Sequence, residues 1–126
     1  MHVLLAEDND ELRSAIAGQL ARLGYTVVEA ADGAAALAVC RDRSESGAPP
    51  FDLVLTDVMM PRLGGPELAR EVEVRWPATA IVFMSGFTDE AALDPRYPLL
   101  TKPFRRQALE QTLTRALAAR PVAGGT

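Results

Sequence analysis

At 126 residues, with 48% hydrophobic and 24% charged side chains, the chain can build one layered core but not two. A net charge of −4 argues against nucleic-acid binding by this domain, since phosphate backbones call for a basic face. The single cysteine, Cys40, excludes an internal disulfide, and no apolar run reads as a membrane span or signal peptide, so a cytoplasmic location is expected.

His2–Ala6 (HVLLA) reads as a buried strand, apolar in succession rather than in alternation. A helix follows with Leu12, Ile16, Leu20 and Leu23 on one face; Asn9 or Asp10 can cap it and Gly24 can stop it. Tyr25–Ala30 is a second strand, Asp32-Gly33 a turn and Ala34–Arg41 a helix. Arg43–Pro50, rich in serine, glycine and proline, is expected to be loop. Phe51–Thr56 is the third strand, and Gly64-Gly65-Pro66 opens a helix with Leu68 and Val72 inward, ending at Trp76 before Pro77. Ala80–Met84 is the fourth strand, Pro98–Leu100 a short fifth, and Phe104–Ala119 the last helix, with Leu109, Leu113 and Leu117 inward. Residues 1–119 thus form the domain and 120–126 a flexible tail. Five buried strands alternating with helices imply an α/β fold: a single doubly wound, five-stranded parallel sheet with helices on both faces.

In such sheets functional groups collect at the carboxyl ends of the strands. Here the first strand leads into Glu7-Asp8, the third into Asp57, the fourth into Ser85 and the fifth into Lys102. Crowded carboxylates stay ionised only with a cation among them, and oxygen donors without His or Cys select a hard ion such as Mg²⁺. Asp57, alone on its strand, is the natural nucleophile toward a phosphoryl group, forming an acyl phosphate. Asp8 then holds the metal directly and Glu7 through water, while Lys102 and the Ser85 hydroxyl receive phosphoryl oxygens. Taken singly, each residue has a plainer reading as a solvated helix start, a turn aspartate, a loop hydroxyl or a surface lysine. Their shared placement after four different strands is what carries the argument. Cys40 reads as a small apolar core residue, His2 as too isolated to be a ligand, and Trp76 as a helix end rather than a partner surface.

The segments LLAEDN (4–9), DLVLTDVMMPRLGG (52–65), VFMSGF (82–87) and LLTKPF (99–104) resemble the receiver domains of response regulators in bacterial two-component signalling. The resemblance implies a flavodoxin-like receiver fold in which Asp57 accepts phosphate from a histidine kinase or phosphotransfer protein. It also implies a switch in conformation and partner binding rather than a multiple-turnover enzyme. It further places the Met59 backbone carbonyl in the Mg²⁺ shell and makes the Lys102–Pro103 bond cis. Two departures stand out. Leu99 occupies the position of the usual switch aromatic, so Ser85 and Leu99 are the switch pair here. The span from Ser85 to Lys102 is also short, and Pro95 and Pro98 interrupt it, so the helix after the fourth strand, starting in Asp89–Leu93, is expected to be short or irregular. That weakens the usual dimerisation face, favouring a monomer or weak dimer, and the same region resembles receivers attached to hybrid kinases. Met59 and Phe87, bulky and apolar, cannot orient a hydrolytic water, so slow self-dephosphorylation is expected. Three alternatives fit less well. An aspartyl-phosphate phosphatase wants an acid where Met59 stands. A flavodoxin-like nucleotide binder wants a phosphate loop where Glu7-Asp8-Asn9-Asp10 stands. A degenerate docking module would not need the intact acidic set.

Overall fold

The computed structural model describes residues 1–86 and 95–120. Its elements run β1 (His2–Ala6), α1 (Asp10–Arg22), β2 (Thr26–Ala30), α2 (Gly33–Glu45), β3 (Leu53–Asp57), α3 (Gly65–Arg75), β4 (Ala80–Ser85), β5 (Leu99–Thr101) and α4 (Arg106–Ala119). The strands form one sheet in the order β2-β1-β3-β4-β5 with every neighbouring pair parallel, as expected. The helix expected in Asp89–Leu93, Phe87, and the tail beyond Arg120 lie outside the described residues.

The continuous apolar runs sort themselves by strand alternation. Leu4, Ala6, Val54, Ile81 and Phe83 face one side, where α2 and α3 bring Ala36, Cys40, Leu68 and Val72. Val3, Leu5, Leu55, Val82 and Met84 face the other, where α1 and α4 bring Ile16, Leu20, Leu109 and Leu113. Both faces are therefore dry, which is why the strands lack a polar alternation. Cys40 is fully buried, and burial pushes its thiol up to about 11, so it behaves as packing rather than chemistry. Trp76 is only 8% exposed and meets Phe51 edge-on at 5.9 Å, so the helix-end reading holds and its ring belongs to the core.

Helix ends follow local chemistry. Asn9 caps α1, its Oδ1 accepting from the Leu12 N–H at 2.9 Å, and Gly24 leaves the helix with φ +95°. Asp32 is a cap rather than a simple turn residue, accepting from the Ala35 N–H at 2.7 Å. The expected loop from Arg43 is corrected: α2 continues to Glu45. Arg43 supplies the reason, since its guanidinium lies 4.1 Å from the centre of the Phe51 ring and its Nε donates to the Pro49 carbonyl at 2.6 Å. Those contacts hold a serine-rich turn helical until Gly47, with φ +76°, stops it. Smaller shifts have similar causes. Pro98 has no N–H for the ladder, so β5 begins at Leu99, although the Pro98 carbonyl still accepts from the Phe83 N–H at 2.9 Å.

Asp52, just before β3, ties three parts of the chain together. Its carboxylate accepts from the His2 N–H at 2.8 Å and from Arg120, at the end of α4, at 3.1 Å. Burial works to raise its pKa, but the hydrogen bonds from His2 and Arg120 and the nearby positive charges outweigh that and lower it. A carboxyl lowered on folding stabilises the native state above its unfolded pKa of about 3.9, and that contribution is lost as pH falls through the folded value. Asp52→Asn should therefore cost about 1–2 kcal/mol at pH 7. The gap from native should narrow below pH 4, read from urea unfolding at both pH values; an equal gap at both would contradict the assignment.

Candidate functional site

The order of strands reverses between β1 and β3, and the crevice outside their carboxyl ends is where side chains from several strands can meet. Glu7 prolongs β1 by donating its N–H to the Ala30 carbonyl at 3.1 Å. That pairing turns its side chain inward, where it is 1% exposed. Asp57 is the last residue of β3 and is also buried, while Asp8 is exposed at the start of the β1–α1 turn. One oxygen from each of these three carboxylates lies within 4.8 Å of the others.

Lys102, immediately after β5, reaches into this group. Its Nζ donates to Glu7 Oε1 at 2.5 Å and to Asp57 Oδ2 at 2.9 Å. The lysine is aimed by its own main chain, whose N–H donates to the Ser85 carbonyl at 2.7 Å, and the Lys102–Pro103 bond is cis. Burial disfavours the ammonium, but hydrogen bonds to Glu7 and Asp57, with their charges, outweigh it and raise its pKa. The Asp8 carboxyl is raised too: partial burial acts first, then its hydrogen bond with Glu7, whose charge adds to the effect, against opposing pulls from its own backbone hydrogen bond and from Lys102. The remaining Glu7 oxygen, Oε2, accepts from the Asn9 N–H at 3.0 Å. Both Glu7 oxygens thus have donors, so Asp8 and Asp57 are the carboxylates that could hold a cation directly.

The backbone around Asp57 is held tightly. Thr56 Oγ1 donates to the Asp57 carbonyl at 3.0 Å, and the Val58 N–H donates to the Met84 carbonyl at 3.0 Å. Gly65, first residue of α3, packs so close that a Cβ there would lie 2.3 Å from the Asp57 carbonyl oxygen. The loop between them is latched to α2: Arg62, at φ +74°, donates to Asp32 at 3.2 Å, and a Cβ on Gly33 would lie 1.9 Å from the Leu63 carbonyl. Gly64-Gly65-Pro66 is therefore structural, as read from the sequence.

Glu7, Asp8, Asp57 and Lys102 come together as the strand ends implied. Ser85 ends β4 beside them and pairs in register with Thr101. The Met59 side chain is 74% exposed in the loop after β3, and Leu99 lies opposite Phe83 against the α3 side of the core. Three residues escaped the sequence reading. Thr56 looks like an ordinary strand residue. Arg13 donates to the Glu7 carbonyl at 2.9 Å from one turn into α1. Tyr97 sets its ring edge-on to Phe83 at 5.4 Å and donates its hydroxyl to Glu73 of α3. An aromatic two positions before Leu99, able to pack on the same side of the sheet, was the available signal for Tyr97; nothing local marked the other two.

Three carboxylates against one ammonium leave the cluster short of positive charge, and its donors are all oxygen. Those observations fit a hard divalent cation. Among the described residues no helix is long and apolar enough to cross a membrane.

Comparison with known proteins agrees with this arrangement. The family model for the response regulator receiver domain matches residues 3–114. The chain is 35% identical over 120 residues to the sensor kinase CckA of Brucella abortus, covering 91% of this chain but 12% of that protein. It is 33% identical over 123 residues to the response regulator receiver protein CpdR of the same organism, covering 93% of this chain and 97% of that one. The crystal structure of the receiver domain of the hybrid histidine kinase CckA superposes with a TM-score of 0.76 at 32% identity, covering 93% of this chain and 99% of that domain. With its parallel sheet and strand-end site, the chain belongs to the response regulator receiver domain family of two-component signalling.

Proposed function

We propose that Asp57 is the phosphoacceptor and that the chain acts as a phosphorylation-dependent switch in a two-component or phosphorelay pathway. The observation that carries this reading is the Lys102 ammonium bridging Asp57 and Glu7 beside a third carboxylate. In the reaction, an Asp57 carboxylate oxygen attacks phosphorus. The bond to the donor's imidazole nitrogen breaks, and that nitrogen leaves with the electron pair. Lys102 exchanges a carboxylate for a phosphoryl oxygen, and the Ser85 hydroxyl donates to another. Asp8, Asp57 and the Met59 carbonyl would hold Mg²⁺, with Glu7 in an outer role through water. When bound, the ion offsets the charge that carboxylate and phosphoryl group would otherwise set against each other.

The donor is a histidine kinase or a histidine phosphotransfer protein. Support comes from the relatives, one a sensor kinase of which this chain matches 12% and one a receiver protein that it matches nearly end to end. The reading takes residues 1–119 as the receiver, in the cytoplasm, as a monomer or weak dimer. Ser85 and Leu99 form the switch pair: Leu99 is half-buried opposite Phe83, two residues from Ser85. The chain is not a turnover enzyme, because the exposed thioether of Met59 offers no acid where a phosphatase would place one.

Beryllofluoride with Mg²⁺ should shift the amide resonances of residues around Asp57, Ser85 and Lys102, and Asp57→Asn should abolish the shift. An unchanged spectrum for the native chain would overturn the reading and favour a docking module. Once phosphorylated, the native chain should lose phosphate more slowly than Met59→Asn, whose amide can orient a water; the reverse order would refute slow self-dephosphorylation.

A further inference from the structure

We propose that Arg13 is a positioning residue for the cation site, acting through the peptide that joins Glu7 to Asp8; the inference rests on the reading of Asp8 and Asp57 given above. Arg13 lies in the first turn of α1 and its side chain is 17% exposed. One guanidinium reaches three residues. It donates to the Glu7 carbonyl at 2.9 Å and to Asp10 at 2.7 Å, and its Nε lies 3.5 Å from Glu29 of β2.

These contacts differ in weight. Asp10 and Glu29 are 84% and 46% exposed, so ion pairs with them contribute little by themselves. The bond to the Glu7 carbonyl is different, because that carbonyl lies in the planar peptide leading into Asp8. The N–H on the other side of Glu7 is already held by the Ala30 carbonyl at 3.1 Å. With Arg13 on the carbonyl, the Glu7 main chain is fixed from both sides, and the direction in which the chain enters Asp8 is set. Asp8 is exposed and little held by packing, so beside its contact with Glu7 this peptide is its anchor. The planar fork matters as well: an ammonium at position 13 keeps the charge but cannot address three acceptors in fixed directions.

Positioning and plain charge predict opposite signs. Removing a positive charge beside three carboxylates would, through space alone, tighten cation binding. Removing an anchor weakens it, and groups that orient metal ligands typically change affinity by about 10–100-fold. The test is calorimetric titration of Mg²⁺ alone into the full chain, native and Arg13→Gln, at a temperature where circular dichroism reports both folded. The expected result is a Kd about tenfold weaker for Arg13→Gln, intermediate for Arg13→Lys and near native for Glu29→Gln. Unchanged or tighter binding by Arg13→Gln overturns the proposal. Should that variant fail to fold, Arg13→Lys decides: weaker binding than native supports the proposal and equal binding overturns it. A native chain that takes no Mg²⁺ removes both this proposal and the Asp57 reading, whereas native binding indifferent to Arg13 removes this one alone.

Discussion

A single ammonium between two buried carboxylates governs this molecule. Glu7 and Asp57 are 1% and 7% exposed, and with Asp8 their oxygens approach within 4.8 Å. Two like charges at that separation repel by on the order of 3–4 kcal/mol at an effective dielectric of about 20. Lys102, at 2.5 Å and 2.9 Å from the pair, turns that repulsion into attraction. Breaking such a pair by removing one partner would leave a buried charge uncompensated. In the proposed reaction the same lysine would serve a phosphoryl group, so the interaction that keeps the resting site together is also the one that chemistry would rearrange.

The fold exists, in effect, to bring this lysine and these acids to one edge. Lys102 is 95 residues from Glu7 and 45 from Asp57 along the chain. Parallel strands place all their carboxyl ends on one side, so short strands with dry faces deliver distant residues to a common crevice. The surrounding loops are then pinned by contacts that contain no catalytic chemistry. Gly65 sits against the Asp57 carbonyl, Arg62 reaches Asp32, and Arg13 holds the Glu7 carbonyl. On the α3 side, Tyr97 links Phe83 of the Ser85 strand to Glu73. Leu99 therefore has an aromatic neighbour, Tyr97, packed against the same side of the sheet.

The parts legible in the sequence were those whose signal is local or periodic. Apolar runs such as VLL at 3–5 and IVFM at 81–84 could only be buried strands, and the residues that follow them named the site. Gly24 and Pro66 marked helix boundaries by their own backbone chemistry. The end of α2 was not legible, because Ser44, Glu45 and Ser46 look like loop until Arg43 is seen lying over Phe51. The roles of Thr56, Arg13 and Tyr97 were hidden for the same reason. Each depends on which distant group its side chain meets, and neither propensity nor spacing carries that information.

The central claim is that, among three clustered carboxylates, Asp57 alone takes the phosphoryl group. Reductive trapping tests it most directly. After treatment with a small phosphodonor and Mg²⁺, borohydride converts an acyl phosphate to the corresponding alcohol, which peptide mass spectrometry can place. The account predicts homoserine at position 57 and unmodified Glu7 and Asp8; reduction at residue 7 or 8, or none at 57 despite phosphate incorporation, would contradict it.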